Sequence, residues 1–157
     1  MQKVLRWTSI ALFLALSIFM LWFGYVYASV TDMLWFHGAA VPAELHAQFL
    51  PLYLALMNLI GGSSVAVGLI SAYITMAPLR RGAPWAGSVL AVAFAVVFVM
   101  AAVTAEELAA ATGAPTSWHI MGVLLAVTAI AWAAHAIASR MKQTDRSRSE
   151  IASAAAG

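Results

Sequence analysis

Residues 47–76 read AQFLPLYLALMNLIGGSSVAVGLISAYITM, with no Asp, Glu, Lys or Arg anywhere in the run. A hydrocarbon core about 30 Å thick takes roughly 20 helical residues to cross. A helix also satisfies its backbone polar groups within the segment, as lipid demands. The stretch is therefore predicted to be a membrane-spanning helix. Pro51 lies in its first turns, where a missing N–H is tolerated, and Pro78 is expected to close it.

Working outward, three further stretches have the same character, near residues 7–28, 84–105 and 117–139. The predicted fold class is all-α: an integral membrane four-helix bundle, up-down-up-down, forming one domain over 1–139. Residues 140–157, RMKQTDRSRSE followed by IASAAAG, are predicted to form a polar, flexible cytoplasmic tail. The first stretch, after Lys3 and Arg6, resembles a secretory signal ending at Ala28. Its apolar run exceeds a 7–15-residue signal core, and Trp7 and Trp22 flank it as interfacial anchors, so it reads as an uncleaved first span. The turn at residues 79–84 is short enough to make the second and third helices antiparallel neighbours. Thr116 or Ser117 can cap the fourth.

Composition agrees. Of 157 residues, 64% are hydrophobic and 9% charged, whereas soluble domains run near a quarter charged. The formal charge of +2 is too thinly spread for a nucleic-acid footprint, so no nucleic-acid partner is expected. The absence of cysteine removes disulfides, thiolate nucleophiles and Cys-ligated metals. No phosphate-binding loop, HExxH or nucleophile elbow is present. All eight basic residues, Lys3, Arg6, Arg80, Arg81, Arg140, Lys142, Arg146 and Arg148, fall on one side if the four helices alternate. The positive-inside rule then puts both termini in the cytoplasm.

Helices in lipid associate through close packing of small residues and a few polar contacts. Gly61, Ser64, Gly68 and Ser71 recur at three- and four-residue steps with Asn58 one turn earlier. Gly87, Ala91 and Ala95 mark the third helix, and Gly122, Ala126, Ala129 and Ala133 the fourth. These stripes read as the helix seams, with bulky Phe, Leu, Val and Ile facing lipid.

The alternating topology collects Asp32, Glu44, Glu106 and Glu107 with His37, His46 and His119 on the outer side. His46 opens the second helix, His119 the fourth, and Glu106 ends the third. These three are the candidate catalytic and metal-ligating residues. A Glu/His pair could perform acid–base work on a lipidic substrate, and the set would admit a divalent metal or, through His46 and His119, a haem. The sequence itself requires no cofactor, and the plainer role for all three is hydrated hydrogen bonding at head-group level. Tyr53, Asn58 and Trp118 are the candidate ligand-binding residues. The plainer roles are a hydrogen bond near the outer cluster for Tyr53, interhelical glue for Asn58, and for Trp118 a place with Trp35 and Trp85 in the aromatic belt. His135 reads as a snorkelling interfacial histidine.

The run Phe36-His37-Gly38-Ala39-Ala40-Val41, the segment Leu52 to Met57 leading into Gly61-Gly62, Pro78-Leu79-Arg80-Arg81-Gly82 with Trp85-Ala86, and the Thr112–Pro115 turn resemble uncharacterised bacterial four-helix inner-membrane proteins with a DoxX-like layout. The resemblance implies a multi-pass protein of the bacterial inner membrane, and no reaction or cofactor. A more distant similarity, to membrane isomerases of the sterol-isomerase kind, keeps an enzyme on a lipidic substrate as the alternative. The principal expectation is a non-catalytic accessory or interaction subunit, or a binder of a small apolar ligand. Its surroundings would be the lipid bilayer and other membrane subunits or a homo-oligomer.

Overall fold

The computed structural model describes residues 1–155. Its chain is all-helical, with no strand among the described residues. Helix α1 spans Gln2–Ala28, α2 is the single turn Trp35–Gly38, α3 spans His46–Ile74, α4 Ala86–Thr112 and α5 His119–Ala155. Four helices, those containing α1, α3, α4 and the first part of α5, are long and apolar enough to cross a membrane. The segment expected as a tail continues α5 as helix to Ala155, and residues 156–157 lie outside the described residues.

Local chemistry explains the helix ends. Gly113 adopts φ +70° and its N–H bonds Ala109 O, a left-handed glycine cap that satisfies a terminal carbonyl of α4. Gly82, at φ +83°, turns the chain between α3 and α4. Pro78 does not close α3 as expected. It sits inside a π-helical turn, Thr75–Leu79, and the chain stays helical to Arg81. Proline lacks an N–H and crowds the carbonyl four residues back. Widening the turn accommodates both defects.

The α1–α3 seam follows the small residues. A Cβ added at Gly24 would lie 2.6 Å from Gly61 O, and one at Gly61 would lie 2.7 Å from Gly24 O, so the two backbones touch directly. Gly61, Ser64, Gly68 and Ser71 are buried as expected, with Met57 ahead of them. Asn58, expected on the same side as that stripe, is exposed instead, about 100° around the helix from it.

Elsewhere the expected faces are revised. Phe94 and Phe98 of α4 point inward with Leu90, each 1% exposed or less. Phe94 stacks on Phe13 at 6.3 Å, and Phe98 meets Phe19 edge-on at 6.3 Å. Large rings thus bridge α4 to α1. Helix α1 packs on α3 and α5, and α5 on α4, whereas α3 and α4 touch only sparingly despite their short connection. On α5 the buried stripe is Thr128, Ala131, Ala134, His135 and Ala138, while Ala126 and Ala129 of the expected stripe are exposed. Alanine occurs on every side of α5, so small-residue spacing selects no face there. The outward surface carries Leu59, Ile70, Val92, Val96, Val123 and Ile130, all more than half exposed, the inverted pattern of a helix bundle bathed in lipid.

Candidate functional site

Three polar groupings stand out against this apolar frame. The first joins the end of α1, the α2 turn and the start of α3. Tyr53 accepts the Leu34 N–H at 3.2 Å and shares a 2.9 Å hydrogen bond with His37 Nδ1. The Tyr53 oxygen can hold both contacts, and the tautomer of His37 sets which of the two side chains donates. The His37 ring also meets Tyr27 edge-on, and burial lowers its pKa below the ordinary histidine value. His46 Nε2 donates to Gly38 O at 3.2 Å and Val41 O at 2.9 Å. Carbonyls only accept, so that nitrogen carries its proton and pins the loop to the first turn of α3.

The second grouping ties the 113–118 loop to α4. Thr116 donates to Ala105 O at 2.7 Å, and Glu106 accepts the Trp118 N–H at 3.3 Å. His119 donates its N–H to Ser117 Oγ at 3.2 Å, and its Nδ1 contacts the same oxygen. The Trp118 ring stacks on His119 at 4.7 Å and covers Gly122, where an added Cβ would lie 2.8 Å from the indole. Ser117 thus caps α5, and Gly122 makes room for an indole rather than for a neighbouring helix.

The structure brings Glu106 to Trp118 and Tyr53 to His37, but it does not gather His46, His119 and Glu106 as a ligand set. Among the described residues no group of three His, Asp or Glu side chains could hold a metal ion. Each of the three candidates has a local partner instead. Asn58 stands apart from both groupings on the outward face of α3. It is twelve residues beyond His46, about 18 Å along the helix.

The third grouping was not expected as a site. Where α1 begins, the 79–83 turn and the later part of α5 enclose a half-open cavity of about 220 Å³. Lys3, Arg6 and Lys142 supply its cations, Gln2, Ser139 and His135 its other polar groups, and Leu79 and Ala138 its apolar floor. Among the described residues no carboxylate lines it. Arg6 donates to Arg80 O, and Gln2 Nε2 donates to Ala138 O at 3.3 Å. His135 does not snorkel. It is 5% exposed, and its ring presses on Gly87, where an added Cβ would lie 2.8 Å from Cγ. Ser139 Oγ is 3.5 Å from His135 Nε2. The sequence signal for this cavity is the occurrence of Lys and Arg at the start of α1 and in the later part of α5.

A second cleft, among Phe19, Phe23, Val97 and Phe98, holds about 30 Å³. No protein-family model, curated protein or solved structure matches the chain.

Proposed function

We propose that this chain is a multi-pass protein of a bacterial inner membrane, up-down-up-down with both termini in the cytoplasm, which works without catalysis as an accessory or interaction subunit. The reading extends the DoxX-like resemblance of the sequence. The observation that carries it is the two-faced character of α3. One face is spent on α1 through Gly61, Ser64, Gly68 and Ser71, while a second stripe of Asn58, Gly62 and Ala66, four residues apart, is exposed. An amide deep in a bilayer requires a hydrogen-bond partner, and small residues beside it permit close backbone approach. A Cβ at Gly62 would meet nothing within 4 Å, so a partner helix has room to dock. The loop histidines and Glu106 support the same reading, because each is engaged in holding a connection.

The absence of cysteine makes single-cysteine variants clean reporters. Ala66→Cys, oxidised in native membranes, is expected to cross-link, and Val92→Cys, exposed on α4, is not. A homodimer band identifies a second copy as the partner, and a heterologous band another subunit. Equal or absent cross-linking at both positions overturns the α3 interaction face.

A further inference from the structure

We infer that the cavity at the start of α1 binds a phosphate oxyanion, the chemistry shared by an anionic phospholipid headgroup and free phosphate, and that the lipid headgroup is its occupant. Lys3, Arg6 and Lys142 line it, with no lining carboxylate among the described residues. Three cations so placed repel one another unless an anion joins them, and ammonium and guanidinium groups offer only donors. The site is built as well as charged. The nearly buried His135 and its neighbour Ser139 line its wall, and the chain turns beneath Lys142 through Gly82, whose left-handed backbone leaves an added Cβ 3.5 Å from Lys142 Nζ.

Depth selects the lipid source. Trp7 and Trp85, 60% and 53% exposed, adjoin the cavity in sequence beside Arg6 and the 79–83 turn. Exposed indoles mark the head-group level of a bilayer. Val4, 68% exposed between Lys3 and Arg6, offers apolar surface where an acyl chain would run. Basic pockets between helices on the cytoplasmic side are suited to anionic headgroups. This inference rests on the membrane orientation proposed above.

The test uses the full chain in detergent micelles, titrated with phosphatidylglycerol, phosphatidylcholine or inorganic phosphate, with bound lipid read by native mass spectrometry and stabilisation by thermal unfolding. Wild type is expected to bind phosphatidylglycerol at least tenfold more tightly than phosphatidylcholine, with a rise in Tm. Lys3→Gln with Lys142→Gln should lower that affinity tenfold or more, while Lys3→Arg with Lys142→Arg retains it. Arg81→Gln with Arg140→Gln removes the same charge outside the cavity and should leave affinity within twofold. Saturating inorganic phosphate that fails to displace the lipid supports the headgroup as occupant. Displacement assigns the same oxyanion site to free phosphate and overturns the lipid assignment. Equal affinity for the two lipids, or equal losses from the two double-Gln variants, overturns the site. Labelling of Arg81→Cys separates the underlying reading. Reaction from the periplasm with cavity-dependent binding intact overturns the orientation alone, whereas cytoplasmic reaction without lipid discrimination overturns the site alone.

Discussion

At His37, burial favours the neutral ring. Its pKa is lowered by desolvation, so the unfolded chain takes up a proton more readily than the folded one. The stability this neutral ring contributes is present above the ordinary histidine value of about 6.5 and is lost as pH falls through the depressed folded value. Thermal unfolding of wild type and His37→Phe across that range is expected to show the acid-side loss shrinking in the variant. Tyr53→Phe removes the bonds to Leu34 and His37 and should cost about 1 kcal/mol. Gly87 makes a second residue-scale point. The sequence marked it as a close-approach position, correctly, but its neighbour is the His135 ring rather than a small residue. Gly87→Ala is expected to destabilise by about 1–3 kcal/mol through overpacking, and Gly87→Ala with His135→Ala to recover part of that loss in the same unfolding assay. No spacing rule ties residue 87 to residue 135, because the pairing depends on how α4 and α5 are rotated against each other.

Rotation is also where the elements were unevenly legible. The α3 seam could be read because its Gly and Ser residues are interrupted by larger ones, which fixes a single small face. On α5 alanine is spread around the whole circumference, and the chosen face was turned away from the bundle. On α4 the small residues are only part of the packing, and Phe94 and Phe98 supply most of the buried volume. Their rings have specific partners on α1, which a rule sending bulky residues to lipid overlooks. The contrast at α3 is testable. Gly61→Leu and Gly24→Leu drive a side chain into facing backbone and should lower the Tm by the equivalent of about 1–3 kcal/mol or more. Gly62→Leu, on the open face, should leave the detergent-solubilised monomer near wild-type stability.

For the whole molecule, hydropathy and length were sufficient to find four long apolar helices, because backbone satisfaction in lipid leaves few alternatives. The candidate sites were much less legible. Sequence placed the His and Glu residues near one another along the membrane normal, but their lateral separation depends on helix packing, and local hydrogen bonds claimed each of them. The orientation proposed from the basic residues predicts that a membrane-impermeant thiol reagent labels Ala39→Cys and Ala111→Cys from the periplasm and leaves Arg81→Cys unlabelled. The opposite pattern would reverse the bundle in the membrane.

The widened turn at Pro78 also changes the azimuth of everything after it. Buried positions on α3 fall at residues 57, 61, 64, 68, 71 and 75, alternating steps of four and three in the manner of a heptad seam. At 3.6 residues per turn the stripe continues to Leu79, one turn past Thr75 and 1% exposed. The π turn, which winds fewer degrees per residue than an α-helix, sets the phase of Arg80 and Arg81. That phase is the one in which the Arg80 carbonyl meets Arg6. Deleting Ala77 should swing the paired arginines by about 100° around the helix axis, separating the 79–83 turn from the mouth of the cavity.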